Sequence, residues 1–378
     1  MKSFDVVVVG AGLIGCCIAR ELAGLGLRVL ALDRQEPGKE ASWAAAGMLT
    51  PASESIEEHA LVPLANASLA LYPAFIEEIE RTTGRKTGYR RDGALEVFFG
   101  EGAEQKLRHW LAAVRSAGFH PQPVNASELR HSEPALAADA AAGAFLAEEG
   151  SVDNRLLTPA VAEAARHAGA EVRAGVEVVG LTHAGGRTTG VETRSGRIAA
   201  GQVVVAAGCF SAQIEGVGRY APTIPARGQM AALRPATMPL RRVVRGPSYV
   251  VPRNDGRLLI GATVERAGFE KAVTAAGIGR LLSDAVRMAP VLAGAPIVET
   301  WSGLRPDTPD HLPILGPTDI EGLWMATGHY RNGILLAPAT GRAMSEWITQ
   351  GHTSMPVEGF SPMRFAGTGR DRAQIAAG

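Results

Sequence analysis

The chain opens on two apolar runs separated by a stretch of helix-forming residues. Val6–Val9 is a short β-branched run, typical of a strand that is buried on both faces. Helix-forming residues extend from Cys16 to Leu25, and a second apolar run, Arg28–Leu32, follows them. This order predicts a strand, a helix and a second strand, which together form a βαβ unit.

A glycine-rich turn joins the first strand to the helix. Gly10 permits a tight turn, Gly12 lets the backbone approach a pyrophosphate, and Gly15 permits close packing of helix on strand. The helix N-terminus then offers free N–H groups to phosphate. Asp33 ends the second strand, 18 residues after Gly15, where it can accept hydrogen bonds from a ribose. The pattern favours a dinucleotide site over a purely structural turn, and it fits both NAD and FAD.

Apolar periodicity along the rest of the chain predicts further strands and helices. The predicted strands are Ala94–Phe99, Val176–Leu181, Thr189–Thr193, Gln202–Ala206 and Leu323–Thr327. The predicted helices are Glu57–Arg81, Glu101–Ala117, Ile278–Met288 and Gly333–Thr349. The alanine-rich stretch Ala135–Ala142 predicts a helix or a helical loop, and Thr158-Pro159 supplies a cap and first turn for a helix over Ala160–His167.

Features of a nucleotide-binding domain thus occur at the start, near residues 150–215 and at the end. The segments between them are rich in β-structure, above all Pro222–Ile260 with its frequent Pro and Gly. The sequence therefore predicts an α/β protein of two domains, each built from discontinuous segments.

A second run of small residues, Lys39–Leu49, follows the βαβ unit. Small side chains let the backbone come close to a flat ligand, and Ser42 can donate a hydrogen bond to phosphate. An alanine-rich helix that packs on its neighbours is the equally weighted alternative.

Two arginines near the end occupy small, apolar, glycine-flanked settings. Arg305 lies in WSGLRP and Arg331 in GHYRNGILL. A buried arginine needs an anionic partner, because an unpaired buried charge is costly. That partner is either a structural carboxylate, the commoner case, or a substrate carboxylate held by the guanidinium fork. The helix predicted from Gly333 adds a positive dipole end that could face an anionic cofactor.

Charge and aromatic content exclude several classes of function. The 38 Lys and Arg balance the 38 Asp and Glu, and aromatic residues make up 5% of the chain. Nucleic-acid binding and a polybasic membrane tether usually require a basic surplus, and single-strand stacking platforms require aromatics. We therefore expect neither nucleic-acid nor membrane partners.

Cysteine usage and the N-terminal run bear on the compartment. The three cysteines, Cys16, Cys17 and Cys209, make no disulfide framework and no zinc-ligand pattern. The uncharged run Val6–Ala19 has an acidic residue at its start and no cleavage site after it, so we interpret it as part of the mature fold. We expect a reducing, cytoplasmic compartment.

The motifs, taken in order, resemble the glycine oxidase branch of the FAD-dependent D-amino-acid oxidase family, the branch associated with thiamine biosynthesis. They are VVVVGAGLIG, SWAAAGML, VVVAAG, SYVVPRNDGRLLIGAT, SGLRPDTPDHLPILG and TGHYRNGILLAPATG. The resemblance implies a Rossmann-like FAD-binding domain over 1–85, 150–222 and 300–365. It implies a β-rich substrate domain over 86–149 and 223–299, and leaves 366–378 as a C-terminal tail.

The resemblance also implies roles for individual residues. Arg305 would bind the substrate carboxylate, Arg331 would assist it, and Tyr249 would line the substrate pocket. FAD contacts would come from Gly10, Gly12, Leu13, Ile14, Gly15, Asp33, Arg34, Ala41, Ser42, Ala46, Gly47, Met48, Val176, Gly208, His329, Tyr330, Asn332, Gly333, Ile334 and Leu335.

Two departures from the family pattern refine the expected activity. Pro247 occupies a position where glycine oxidases can have a histidine, which indicates a less polar pocket with room for sarcosine or iminodiacetate. Sarcosine-oxidase relatives attach flavin to a cysteine in the C-terminal third, and this chain has none after Cys209, so we expect non-covalent FAD.

The resemblance thus predicts an oxidase of glycine or N-substituted glycines that forms a 2-oxo acid, ammonia or an amine, and hydrogen peroxide. Its partners would be the small amino-acid substrate and dioxygen, and assembly into a homo-oligomer is left open. A dehydrogenase of the same fold with another electron acceptor, and a flavin-binding subunit without chemistry of its own, are the alternatives. No metal site is expected, since Asp307, Asp310 and His311 lie in a proline-rich loop without a fourth ligand.

Overall fold

The computed structural model describes residues 3–54 and 58–366. Its α-helices are α1 (Leu13–Gly24), α2 (Ala41–Ala44), α3 (Pro51–Glu54), α4 (Val62–Thr83), α5 (Ala103–Ser116), α6 (Ala126–Ser132), α7 (Asn154–His167), α8 (Ala275–Met288), α9 (Ala337–Gln350) and α10 (Met363–Ala366). Short 3₁₀ turns cover His59–Leu61, Gly208–Gln213 and Pro290–Gly294.

The strands form two large sheets and one two-stranded pair. In chain order they are β1 (Phe4–Val9), β2 (Val29–Leu32), β3 (Met48–Leu49), β4 (Ala94–Phe99), β5 (Gln122–Asn125), β6 (Ala140–Leu146), β7 (Gly150–Ser151), β8 (Glu171–Arg173), β9 (Val178–Ala184), β10 (Arg187–Thr193), β11 (Gly196–Val205), β12 (Ile224–Leu233), β13 (Val243–Arg245), β14 (Tyr249–Pro252), β15 (Leu258–Gly261), β16 (Ile297–Asp307), β17 (Ile314–Pro317) and β18 (Leu323–Thr327).

The first sheet confirms the predicted βαβ unit and the α/β class. Its order is β17-β18-β11-β1-β2-β8, and β1 pairs in parallel with both β2 and β11. β8 and β18 extend the parallel region, whereas β17 is antiparallel and β9 and β10 form a hairpin beside β11. The β-branched run Val6–Val9 is buried on both faces of the sheet, as its composition predicts.

Helices α1, α4, α7 and α9 contribute to one core with the first sheet. The second sheet, in the order β16-β12-β15-β14-β13-β4-β6-β5, is antiparallel except where β13 meets β4. Helix α8 closes its core: Leu281, Ala285 and Met288 pack against strand residues such as Ile260. The two sheets meet at the carboxyl ends of the parallel strands.

The prediction of a helix or a helical loop over Ala135–Ala142 is wrong, because residues 135–139 form turns and bends and the strand β6 begins at Ala140. Ala140–Leu146 is β6, which pairs antiparallel with β4 on one side and with β5 on the other. Ala142 and Ala144 pack beneath Leu107 and Leu111 of α5. Pairing on both sides and this close packing override the helix propensity of alanine.

The helix predicted over Ala160–His167 begins earlier. Asp153 is the N-cap of α7, and its side chain accepts a hydrogen bond from the backbone N–H of Arg155. Thr158 is not the cap; its hydroxyl donates to the carbonyl of Asn154, and Pro159 lies inside the helix. The helix predicted from Gly333 begins only at α9, after a turn over 333–336, so its dipole end lies beyond Gly333.

The predicted helix Glu57–Arg81 corresponds to α4 and the 3₁₀ turn before it, and Glu57 lies outside the described residues. The segment His59–Thr83 is long and apolar enough to cross a membrane by length and composition. In this fold Leu64, Tyr72 and Ile79 of this segment are buried in the core that α1, α4, α7 and α9 form with the first sheet. Such burial is typical of a core helix of a globular protein.

The division into domain segments remains a prediction. The two sheets are built from interleaved segments of the chain, and β16 runs across the predicted boundary at 299/300 and pairs along its length with β12. Of the predicted tail 366–378, all but Ala366 lies outside the described residues.

Candidate active site

A cleft of about 570 Å³ lies at the carboxyl ends of the parallel strands, between them and the second sheet. The ends of β1, β2, β11 and β18 reach it through Val9, Leu32, Ala206 and Thr327. Open α/β sheets bind ligands at such carboxyl ends, and ligand pockets usually enclose about 300–1,000 Å³. We refer to this space as the cleft.

The glycine-rich turn fits the roles that its spacing predicts. Gly10 has φ +102°, and a Cβ there would lie 2.5 Å from the carbonyl oxygen of Ala206. A Cβ on Gly15 would lie 1.9 Å from the carbonyl oxygen of Gly10, so Gly15 permits helix α1 to pack on the turn. Gly12 is the N-cap of α1 and borders the cleft, and its Cβ would meet only the Ser42 hydroxyl at 3.3 Å.

Asp33 closes the turn from the second strand. Its carboxylate accepts hydrogen bonds from the backbone N–H groups of Ala11 and Gln35, at 2.8 and 2.9 Å. Burial raises the pKa of this carboxyl, and the two hydrogen bonds, which lower it, offset that rise only in part. The side chain therefore links β2 to the glycine turn and presents an acceptor to the cleft.

The small-residue run after the βαβ unit consists of the four-residue helix α2 and the short strand β3, with irregular backbone at 39–40 and 45–47. Ser42 accepts a hydrogen bond from the backbone N–H of Leu13 at 3.0 Å. The buried Arg253 donates to the carbonyl of Ala46 at 2.6 Å and to the Asn154 side chain at 3.1 Å. The alternative of a packed alanine-rich helix thus applies to α2 only, and residues of α2 as well as of the rest of the run line the cleft.

Arg305 reaches the cleft from β16. Its guanidinium donates to the carbonyl of Thr263 at 3.0 Å and packs over Gly228, where a Cβ would lie 2.4 Å from Nη1. In the described part of the chain, no carboxylate lies within ion-pair distance of Arg305. The sequence left two possible partners for Arg305, a structural carboxylate and a substrate carboxylate. The structure shows no structural carboxylate beside Arg305 among the described residues.

Tyr249 borders the same end of the cleft. Its hydroxyl donates to the Met230 sulfur at 3.2 Å, and Gly261 leaves the ring its space, since a Cβ there would lie 2.4 Å from the hydroxyl oxygen. Burial raises the pKa of Tyr249, and the positive charge of Arg305 opposes that rise. Tyr249 and Arg305 are thus close enough to contact one small ligand.

Arg331 differs from Arg305 in its surroundings. Its side chain is 43% exposed and lies over the Tyr330 ring, with 5.1 Å between the guanidinium carbon and the ring centroid. Its nearest carboxylate oxygen is Oε2 of Glu54, at 3.9 Å. Arg331 therefore lies at the open side of the cleft.

His329 is buried and has a structural environment. Its Nε2 lies 3.1 Å from the Thr340 hydroxyl, and burial lowers its pKa to about 3. The imidazole is therefore neutral at physiological pH.

Sequence reasoning missed a group of buried charges beside Tyr249. Arg245 contacts Glu54 at 2.6 Å and Glu96 at 3.3 Å, and Ser53 donates to Glu96 at 3.0 Å. Glu149 lies deeper and accepts the backbone N–H of Ala52 at 2.9 Å. These residues come from α3, β4, β13 and a turn, and no local motif joins them.

Burial and the neighbouring arginines determine the charges in this group. Burial opposes ionisation of Glu54, but Arg245, Arg331 and Arg305 outweigh it and hold the pKa of Glu54 below its usual range. Burial prevails at the other two carboxyls: it raises the pKa of Glu96 and raises that of Glu149 to about 8. Glu54 is therefore ionised where it borders the cleft.

The structure brings nearly all predicted site residues to the cleft. Gly15 is the exception, because it packs beneath the glycine turn. The predicted residues that line the cleft are Gly10, Gly12, Leu13, Ile14, Asp33, Arg34, Ala41, Ser42, Ala46, Gly47, Met48, Val176, Gly208, Tyr249, Arg305, His329, Tyr330, Arg331, Asn332, Gly333, Ile334 and Leu335. The acidic residues of the proline-rich loop are paired with arginines: Asp307 with Arg266, and Asp310 with Arg364, while His311 Nδ1 lies 2.7 Å from Asp307 Oδ1.

Comparisons with known proteins agree with this geometry. Residues 5–347 match the family of FAD dependent oxidoreductases termed DAO. The chain is 38% identical to the bifunctional protein ThiO/ThiG of Synechocystis sp. over 96% of its own length and 54% of that protein. It is 37% identical to the glycine oxidase of Geobacillus kaustophilus over 96% and 98% of the two chains. The chain thus spans about half the length of its ThiO/ThiG relatives.

Solved structures share the whole fold. The glycine oxidase of Geobacillus kaustophilus superposes with a TM-score of 0.90 at 35% identity, covering 96% of this chain and 99% of that one. The iminodiacetate oxidase of Chelativorans sp. BNC1 superposes with a TM-score of 0.86 at 28% identity, covering 94% and 98%. By these matches the chain belongs to the family of FAD-dependent oxidoreductases, with FAD as its cofactor.

Proposed function

We propose that this chain oxidises the amine of glycine or of an N-substituted glycine, such as sarcosine or iminodiacetate. The imine product hydrolyses to glyoxylate or another 2-oxo acid and releases ammonia or an amine, and dioxygen becomes hydrogen peroxide. The proposal depends above all on Arg305, whose guanidinium lies in the cleft without a carboxylate partner among the described residues. The glycine oxidase and iminodiacetate oxidase relatives support it.

The residues of the cleft fit FAD. Gly12 leaves space at the start of α1 and, as a glycine N-cap, puts no side chain of its own over the helix N-terminus, where a pyrophosphate can bind beside the Ser42 hydroxyl. Asp33 presents a carboxylate to the same cleft, an acceptor suited to the hydroxyl groups of a ribose. Cys209 also lines the cleft, but burial raises its pKa to about 12, so it remains a thiol and a poor nucleophile. This supports the non-covalent attachment that we propose, together with the contact residues named above.

Three side chains would hold the substrate. Arg305 would bind the α-carboxylate through its guanidinium fork, with the Tyr249 hydroxyl beside it. Arg331, at the open side, would attract an anionic substrate and contact a second carboxylate where there is one. These contacts fix the α-carbon in one orientation. FAD, when bound beside these residues, would supply the two-electron acceptor for the hydride of this carbon, with dioxygen as the final oxidant.

Pro247 supports N-substituted glycines as substrates. It lines the cleft two residues before Tyr249 and adds no hydrogen-bond donor there. The three cysteines are free and buried, which supports the reducing, cytoplasmic compartment that we propose.

The deciding experiment is an anaerobic visible spectrum of the purified chain with FAD, titrated with glycine, sarcosine and iminodiacetate. We expect the oxidised flavin band to bleach and to return when air is admitted, with one peroxide formed per amine oxidised. A flavin band that none of the three amines bleaches would contradict the proposed substrate class. Bleaching without peroxide on reoxidation would instead identify a dehydrogenase.

Replacement of Arg305 tests the residue on which the proposal depends. Arg305→Ala removes a charge-assisted hydrogen bond worth roughly 1.5–3 kcal/mol, so we expect KM for the preferred amine to rise at least about 10-fold. Arg280→Ala is the matched control, since that arginine is exposed on α8 and does not line the cleft. An unchanged KM in Arg305→Ala, with FAD still bound, would refute the role of Arg305.

A further inference from the structure

Glu54 has the properties of a built hydrogen-bond acceptor in the cleft. Its side chain is 10% exposed, it lines the cleft, and Oε1 is bound by Arg245 at 2.6 Å. Oε2 is buried and has no hydrogen-bond partner within the described ranges. The nearest cation to Oε2 is Nη1 of Arg331, at 3.9 Å, which is beyond hydrogen-bond distance.

A buried carboxylate oxygen without a partner is costly unless a ligand satisfies it. Three arginines, Arg245, Arg331 and Arg305, keep the pKa of Glu54 low despite its burial, so the carboxylate is ionised and can only accept. Tyr249 and Arg305 border the same end of the cleft. A ligand whose carboxylate lies on Arg305 therefore has an ionised acceptor near its other end.

The geometry points to Glu54 as the residue that receives an N–H of the substrate amine, through Oε2, while Arg305 holds the carboxylate. This inference rests on the proposed function and deepens it. It defines the substrate class as α-amino acids with at least one N–H, which means primary and secondary amines. Oxidation of the amine places positive charge on the nitrogen, and an ionised carboxylate beside it favours that change.

The test compares a ligand that has an amine with one that lacks it. For the FAD-loaded wild type and for Glu54→Gln, we would measure KM for glycine or sarcosine, and Kd for acetate from the shift of the flavin spectrum. We expect Glu54→Gln to raise the ratio of KM(amine) to Kd(acetate) by about 10- to 100-fold, as for loss of one hydrogen bond to a charged group. Acetate has no N–H, so its Kd should stay the same or fall as a nearby negative charge is removed.

A purely structural role for Glu54 predicts another result. Loss of the negative charge would then change the binding of the amine substrate and of acetate by the same factor. The ratio of KM(amine) to Kd(acetate) would stay as in the wild type. That outcome, or unchanged constants for both ligands, overturns the inference. If the wild type itself oxidises no amine, the proposed function fails and this inference falls with it. A working wild type with an unmoved ratio removes the inference alone.

Glu149→Gln is the matched control. Glu149 belongs to the same group of buried carboxylates but does not line the cleft. Its pKa of about 8 keeps it protonated at neutral pH, so glutamine preserves its charge and its acceptor for the Ala52 N–H. We expect both constants to stay unchanged in this variant. A ratio that rises as much as in Glu54→Gln would show a general effect of the group and overturn the assignment to Glu54.

Discussion

At the scale of single residues, the site depends on positions where a side chain is missing. Gly228 on β12 lies beneath the guanidinium of Arg305, and Gly261 lies beneath the Tyr249 ring. Both glycines belong to paired strands, and neither has a positive φ. Their role is therefore to leave space for a functional side chain and not to permit an unusual backbone conformation.

Gly228→Ala should displace Arg305 and leave the fold intact. The new Cβ would lie 2.4 Å from Nη1, and the end of a long side chain moves more easily than a strand. We expect KM for the preferred amine to rise about 10-fold, in line with a weakened charge-assisted hydrogen bond, with FAD affinity and unfolding midpoint nearly unchanged. Gly279→Ala is the control, since no atom lies within 4 Å of its Cβ position. Equal KM in both variants would mean that the position of Arg305 is unimportant for binding.

At the scale of elements, the sequence pattern predicted those helices and strands whose structure depends on residues close together in the chain. The β1-α1-β2 unit follows from a β-branched run, three glycines and a helix-forming stretch, all within one segment. Strand β6 could not be predicted in this way, because its alanines become a strand only through pairing with β4 and β5. The same limit applies to the site. Arg305 and Tyr249 stand in recognisable motifs, whereas Glu54, Glu96 and Arg245 meet only after folding.

The contact between α1 and α9 gives an element-scale test. A Cβ on Gly341 would lie 3.0 Å from the Cβ of Cys17, so the two helices already pack as closely as an alanine would allow. Gly341→Leu should lower the free energy of unfolding by roughly 1–3 kcal/mol or more through overpacking. The measurement is urea unfolding followed by circular dichroism. Gly279→Leu, at an exposed helical site, should not destabilise the protein, and equal losses in the two variants would contradict this account of the interface.

At the scale of the whole molecule, the group of buried charges joins distant parts of the chain behind the cleft. Glu54 comes from α3, Glu96 from β4 and Arg245 from β13, and Glu149 follows β6. Separate segments thus share one set of charges, and the protonation of that set affects the stability of the fold as well as the site. Burial raises the pKa of Glu149 to about 8, which is close to physiological pH.

The stability of the protein should therefore depend on pH through Glu149. In the unfolded chain this carboxyl titrates near its usual value of 4.5, whereas burial raises its pKa to about 8 in the folded protein. Between these values the folded state binds a proton that the unfolded state has lost. The stabilisation is fully present below about pH 4 and is lost as pH rises through about 8.

The side chain of Glu149→Gln cannot ionise, so the free energy of unfolding of this variant should depend much less on pH than that of the wild type. Some pH dependence should remain through Glu96, whose pKa burial also raises. We expect the variant to differ little from the wild type at pH 5 and to exceed its free energy of unfolding by roughly 1–3 kcal/mol at pH 8.5. Urea unfolding at both pH values measures the difference, with the exposed Glu104→Gln on α5 as the control. Parallel pH curves for the wild type and Glu149→Gln would mean that Glu149 is already ionised in the folded state, stabilised by the neighbouring Arg245.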